Sequence, residues 1–325
     1  MFSPHHFGLY FTSQQVKNAH KHKDREPFKT AWVTLRDTNP LDPLQALLWN
    51  GLRYRFDGKV DAGEFTVSQL ENHLATHADD VSVWNALAQT LLLAQCMELV
   101  RDHPAKSDAT EARWRDLLFE RVGGLNNDTN ALTFAESVWK SALNMATGVV
   151  LEREPIFQQA VDEFKAVIDN EIHPQGYLPR AIDPSSGGQS LLNHLRVSQG
   201  LVLMAEMGRC VDVDLWGYAN RGVSITTTTT YPLYYFFYPE KWKWVEERYM
   251  GGKKVEAEVL GEDESQRMFK NNAGFLEMLN HHYGNQPLRA VQMILEELRP
   301  VNDLFGGGLT TLTHGYVEGR RGLFG

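Results

Sequence analysis

The chain has 325 residues, 42% of them hydrophobic, with 41 acidic against 32 basic side chains and a formal charge of −9. That balance suits a soluble protein with a sizeable core and argues against broad binding to nucleic acid or anionic lipid. The apolar stretch 86–100 is interrupted by Gln89, Gln95 and Glu98, so no run reaches bilayer length and no membrane partner is expected.

The N-terminus, MFSPHHFGLYFT, lacks a basic start followed by an apolar core and a cleavage site, so a cytoplasmic location is the expectation, a secreted mature form being the alternative. Apolar residues then recur at helical spacing over 13–35, 43–56, 66–75, 81–101, 108–121, 131–151, 155–171, 189–210, 264–282 and 287–299. Cys96 and Cys210 fall inside such patterns and read as buried free thiols rather than as a disulfide or a metal knuckle. Leu132, Ala135, Trp139, Ala142, Ala146 and Val149 make one apolar stripe, and Pro155 opens the next helix. Strand-like alternation is scarce, connectors are short, and no repeat of fixed period occurs. The pattern predicts an all-α architecture of antiparallel helical hairpins in one domain covering 1–325.

Two stretches depart from the helical pattern. Thr226–Tyr238, rich in β-branched and aromatic residues around Pro232, fits either a strand or an aromatic-faced helix. Gly251-Gly252-Lys253-Lys254 reads as an exposed loop.

Candidate chemistry gathers where the Gly/Pro/Ser-rich stretch 174–188 meets the helix starting near Leu191. Gln189, Asn193, Arg196 and Gly200 fall on one line of that helix, and His194, Ser198, Leu201 and Ala205 on the adjacent line. An imidazole titrates near neutrality, and the amides with Arg196 suit a carboxylate or an oxyanion; a buried histidine bonded to a carbonyl is the alternative. Glu136 sits at the edge of an apolar helix as a possible acid or base, although Lys140 four residues on would explain it as a surface pair. The rings of Tyr231, Tyr234, Tyr235, Phe236, Phe237, Tyr238, Trp242 and Trp244 suit a sugar platform or a core. The glycines of FGGGLTTLTHG lack the spacing of a phosphate loop, and the pair Arg320-Arg321 reads as a solvated terminus or a carboxylate contact. Neither HExxH, a paired Cys motif nor GxSxG occurs, so zinc-protease and serine-hydrolase readings lack support.

Together these segments resemble the alginate lyase superfamily of polysaccharide lyases, which includes the glucuronan lyases. The resemblance is carried by HHFGLYFTSQQVKNAHKHKDREPFKTAW, by MATGVV, AVDEFK and QGYLP within the stretch from Trp139 to Ala181, by SLLNHLRVSQGLVLMAEMGRCVDVDLWGYA, and by GGGLTTLTHG. It implies an incomplete (α/α) toroid with a substrate groove across one end. It also implies β-elimination on a uronic-acid-containing glycan: a base takes the proton at C5 and an acid protonates the departing O4. No cofactor is expected, and no residues are singled out as metal ligands. The residues implied are Glu136 or His194 as base, Tyr177 or Tyr235 as acid, and Asn193 with Arg196 on the carboxylate. Gln189, Arg180, Trp139, Tyr234, Trp242 and His314 are the further expected substrate contacts.

The match departs from the family at its catalytic positions. Phe134, Ala135 and Glu136 replace an Asn-Asn-His motif, Asn193-His194 replaces Tyr-His, and Gln189 stands for the preceding arginine. Two other readings therefore stand beside the lyase: a non-catalytic glycan-binding relative, and a glycoside hydrolase pairing Glu136 with Asp183 or Glu206.

Overall fold

The computed structural model describes residues 2–76, 81–128, 131–182, 189–242, 248–250, 253–255, 260–286 and 288–317. Its elements are helical apart from two small hairpins: α1 (Ser13–Lys21), α2 (Phe28–Asp37), α3 (Pro43–Asp57), α4 (Val60–Ala75), α5 (Val83–Leu99), α6 (Asp108–Asn127), α7 (Phe134–Val150), α8 (Glu154–Asn170), α9 (Ser190–Arg209), α10 (Ile225–Thr230), α11 (Tyr234–Phe237), α12 (Glu262–Asn271), α13 (Gly274–His282), α14 (Arg289–Leu298) and α15 (Thr310–His314). The hairpins pair β1 (Ala219–Asn220) with β2 (Val223–Ser224) and β3 (Arg248–Met250) with β4 (Lys253–Val255), both antiparallel.

Local chemistry sets the helix ends. Asp42 caps α3, its side chain accepting from the Gln45 amide at 2.8 Å, and Gly58 closes that helix in the left-handed region at φ 66°. Ser82 and Ser107 cap α5 and α6, and Thr133 with Glu136 forms a reciprocal capping box on α7.

Burial then sorts the helices into two layers. α5 is buried almost without a break from Leu87 to Leu99, and α9 from Asn193 to Gly208 apart from Arg196, so each is surrounded by protein. α8 and α14 bury one stripe only, the former through Phe157, Ala160, Val161, Phe164 and Ile168. Inner helices α3, α5, α7, α9 and α13 follow one another around a ring, with α4, α6 and α8 returning antiparallel outside them. α15 packs on α13, α2 and α1, which brings the ring back to α3. Close approach of α7 and α8 depends on Gly148, where a Cβ would stand 2.6 Å from the Phe157 backbone nitrogen. Alternation with the returning helices makes α3, α5, α7 and α9 run the same way, and the N-termini of α5 and α9 meet at one mouth.

This is the all-α toroid that the sequence predicts, with differences in detail. The pattern over 13–35 is two helices, because the chain turns at His22–Pro27 and Pro27 can only stand at a helix start. The pattern over 264–282 is likewise split, at Asn272-Ala273. Thr226–Tyr238 forms α10, a 3-10 turn at Tyr231–Leu233 and α11, so its aromatic face is helical. Lys253 and Lys254 belong to β4 rather than to a loop; Gly251 and Gly252 lie outside the described residues, as do Asp183, Trp244, Arg320 and Arg321. Cys96 and Cys210 are buried free thiols. Among the described residues, no helix is long and apolar enough to cross a membrane.

Candidate functional site

The mouth formed by the inner N-termini carries a cleft of about 520 Å³. Its walls come from four places: Trp84 at the start of α5, Gln189, Leu192 and Arg196 on α9, Glu264 to Asn272 along α12, and Asn302 to Phe305 ahead of the glycine run. Arg196 is its centre of charge. The guanidinium carbon lies 3.9 Å from the Trp84 ring centroid, and Nε is buried without a hydrogen-bond partner. Burial pulls the Arg196 pKa down, and the charge of Glu136 works against that shift.

An aromatic stack fixes Arg196 from below. Trp84 meets Trp139 edge-on at 5.2 Å and Phe305 at 5.5 Å with perpendicular planes. Trp139 Nε1 donates to the Arg196 carbonyl oxygen at 2.9 Å. Trp139, expected from the sequence to contact substrate, is fully buried and instead supports the cleft from behind. Around Arg196 the lining presents Gln189, Asn271, Asn272 and Asn302, together with Arg267 and the carboxyl groups of Glu264 and Asp303. Amides and a guanidinium in one concave surface suit the hydroxyls and carboxylate of an acidic sugar.

Asp303 is 3% exposed and fully engaged. Its Oδ2 accepts from Gln199 Nε2 at 2.6 Å and from the Gly274 amide at 3.0 Å, while Oδ1 accepts from the Gly306 amide at 2.9 Å. Burial raises its pKa to about 6 despite those donors.

His194 lies on the other side of α9. It is fully buried, stacked on Tyr231 at 5.4 Å and edge-on to Trp242 at 6.3 Å, and neither ring nitrogen meets hydrogen-bond geometry with a partner. Burial lowers its pKa to about 4, with the Gly176 backbone opposing weakly. The same cluster holds Tyr177, 6.0 Å from Tyr231, and Tyr235, whose hydroxyl donates to the Tyr231 hydroxyl at 3.4 Å. Trp242 Nε1 donates to Ser190 Oγ at 2.9 Å. Gly176, at φ 101°, lets the QGYLP turn close on Tyr231 and Thr227. Burial, then the bond to Tyr231, raises the Tyr235 pKa. Tyr177, Tyr235, Trp242 and His194 thus come together, but away from the residues lining the Arg196 cleft.

The other expected residues are spread more widely, although Glu136 stays close enough for its charge to act on Arg196. Glu136 Oε2 accepts from the Thr133 amide and from Thr133 Oγ1, each at 2.8 Å, so it works as a helix cap. Its predicted pairing with Lys140 is also absent, Lys140 Nζ donating instead to the Asn126 carbonyl at 3.0 Å. Asn193 is buried on α9 between the two faces. Arg180 covers the Phe134 ring and pairs with Glu171 at 3.1 Å, and Tyr234 stacks on Tyr238 at the surface. His314, expected on the substrate, is fully buried and pairs with Glu206 at 3.3 Å near the far end of α9; its ring cannot reach the mouth. Among the described residues no cluster of His, Cys, Asp and Glu is arranged to hold a metal.

Sequence reasoning missed Trp84, Glu264, Arg267, Asn271, Asn272, Asn302, Asp303 and Phe305. One signal did point there: the glycine run 306–308, whose Gly307 and Gly308 adopt positive φ and let the wall fold tightly beside Asp303.

The family model described as alginate lyase matches residues 94–242. Among solved structures, the chain resembles alginate lyase A1-III from Sphingomonas species A1, with TM-score 0.67, 15% identity, and coverage of 85% of this chain and 80% of that one. A histidine-to-alanine variant of A1-III complexed with tetrasaccharide gives TM-score 0.66 at 17% identity, covering 91% and 79%. An alginate lyase from Bacteroides ovatus gives TM-score 0.67 at 11% identity, covering 94% and 98%. No curated protein sequence matches the chain. The chain is thus similar to alginate lyases in sequence over residues 94–242, and it shares their fold over most of its length.

Proposed function

We propose that the chain is a polysaccharide lyase acting on a uronic-acid-containing glycan, with the Arg196 cleft as its substrate site. The observation that carries this reading is a partly buried guanidinium, held over Trp84 with an unpartnered Nε, in a cleft lined by amides. Removing a proton alpha to a carboxylate requires that carboxylate to be neutralised, which Arg196 and Arg267 supply. Gln189, Asn271 and Asn302 are placed for the sugar hydroxyls.

Of the two carboxyl groups lining the cleft, Asp303 is saturated with donors, which leaves the exposed Glu264 as the base. In this scheme Glu264 takes the C5 proton as the C4–C5 double bond forms. The C4–O4 bond breaks, and O4 receives the proton back from the same carboxyl group. The test is incubation with alginate, glucuronan and related polymers, read as new ultraviolet absorbance from an unsaturated uronate. Wild type should produce that band and Glu264→Gln should lose it. No band on any uronate polymer overturns the proposal.

A second reading, glycan binding without cleavage, is favoured by the commitment of Glu136 to capping and the enclosure of His194. Saturable binding of a uronate oligosaccharide with no band selects it. The hydrolase alternative has weaker support. Glu206 lies ten residues beyond Arg196 on α9, about 15 Å along the axis, and is held by Arg209, His314 and Trp216.

A further inference from the structure

Asp303 joins three walls of the cleft: α9 through Gln199, the first turn of α13 through the Gly274 amide, and its own loop through the Gly306 amide. The loop has no slack at this point. A Cβ at Gly306 would collide with Gln199 Nε2 and the Asp303 carboxylate, and one at Gly274 with the Gly306 carbonyl. Gly308 closes the turn from the other side, its amide donating to the Asp303 carbonyl at 2.7 Å, with the Asp303 amide returning a bond to the Gly308 carbonyl at 2.9 Å.

The segment fixed in this way presents Asn302, Leu304 and Phe305 to the cleft. Phe305 stands perpendicular to Trp84, and Trp84 lies under the Arg196 guanidinium. A path of direct contacts therefore runs from the Asp303 carboxylate to the group that faces the substrate, while Asp303 has no hydrogen-bonding capacity left for a ligand.

We infer that Asp303 is a positioning residue of the cleft: it holds the Asn302–Gly306 wall so that Phe305 buttresses Trp84 and Arg196 is aimed at the acidic sugar. The inference rests on the uronate-glycan reading for its ligand, but the mechanical part does not. An amide at this position cannot serve as well, because all three partners are donors and an Asn side chain would turn its own NH2 toward one of them.

The experiment compares Asp303→Asn, Gly306→Ala and Gly148→Ala with wild type. Oligouronate binding and turnover give the KM and kcat, and amide hydrogen exchange over 302–308 reports the wall. Asp303→Asn should raise KM about ten-fold with kcat within about two-fold, and should speed exchange at Gly306. Gly306→Ala pushes the same wall without removing a charge and should reproduce both effects. Gly148→Ala loosens the distant α7–α8 contact and should lower the melting temperature while leaving KM and Gly306 exchange at wild-type values.

Unchanged KM and unchanged Gly306 exchange in Asp303→Asn overturn the inference. So does a KM rise in Gly148→Ala equal to that in Asp303→Asn, since the effect would then be general destabilisation. If wild type binds no acidic oligosaccharide, the uronate reading fails, and the Gly306 exchange rates alone decide whether Asp303 holds the wall.

Discussion

The Arg196 guanidinium rests 3.9 Å from the centre of the Trp84 ring, a stacked geometry that a planar cation supports and a compact ammonium does not. Arg196→Lys should therefore keep the charge and still weaken oligouronate binding by about five- to ten-fold, as lost stacking of about 1 kcal/mol predicts. Arg196→Gln should weaken it further. Tryptophan fluorescence during glycan titration measures both, and a Lys variant binding like wild type would separate Arg196 from recognition.

For Glu136 the capping box and a catalytic role predict different outcomes. Glu136→Gln keeps a carbonyl acceptor for Thr133 and should cost little stability, whereas Glu136→Ala should cost about 1 kcal/mol, as for the loss of other helix caps. If the group only caps, the Gln variant turns over substrate at the wild-type rate. Loss of turnover in a folded Gln variant would restore Glu136 as the base.

His194 is buried with two unpartnered ring nitrogens, so His194→Leu should leave stability at pH 7 unchanged or raise it by up to about 1 kcal/mol. Its pKa is depressed from 6.5 to about 4, so the neutral ring's contribution is complete above pH 6.5 and is lost as pH falls toward 4. The Leu variant should not show that loss. Denaturant melts across this range test it, and a variant that fails to turn over substrate while binding it normally would return His194 to the chemistry.

Glu206 sets a lower window. Burial alone would raise its pKa, but the Arg209 charge and hydrogen bonds from Arg209 and His314 hold it near 2. Its contribution is present above 4.5 and disappears as pH falls toward 2; Asp303, raised from 3.8 to about 6, runs oppositely and loses its contribution as pH rises through 6. Glu206→Gln breaks a buried pair and should cost about 3–5 kcal/mol at neutral pH. A melting temperature within a degree or two of wild type would refute this account.

The helices were readable because their apolar spacing is regular, and the Gln189–Arg196 line was readable because seven residues make two turns of one helix. Two helix breaks were not. Phe269 and Leu276, seven residues apart, continue the spacing across Asn272-Ala273, and apolar residues go on recurring from Val16 and Ala19 to Ala31, Trp32 and Leu35 on either side of Pro27. The opposing cleft wall was illegible for a different reason: Trp84, Arg267 and Asp303 lie far from Arg196 in sequence, and only ring closure brings them together. His194 was placed with Arg196 by proximity in the chain. Two residues along a helix turn a side chain by about 200°, which carries the imidazole to the opposite face.

α5 and α9 both begin at the cleft, so the partial positive charge of their N-terminal amides joins Arg196 and Arg267 there, in a chain whose formal charge is −9. On the uronate-glycan proposal, a polyanion would be steered to that cleft before any specific contact forms. Raising ionic strength should then slow association far more than it hastens release, a kinetic signature that stopped-flow mixing would resolve.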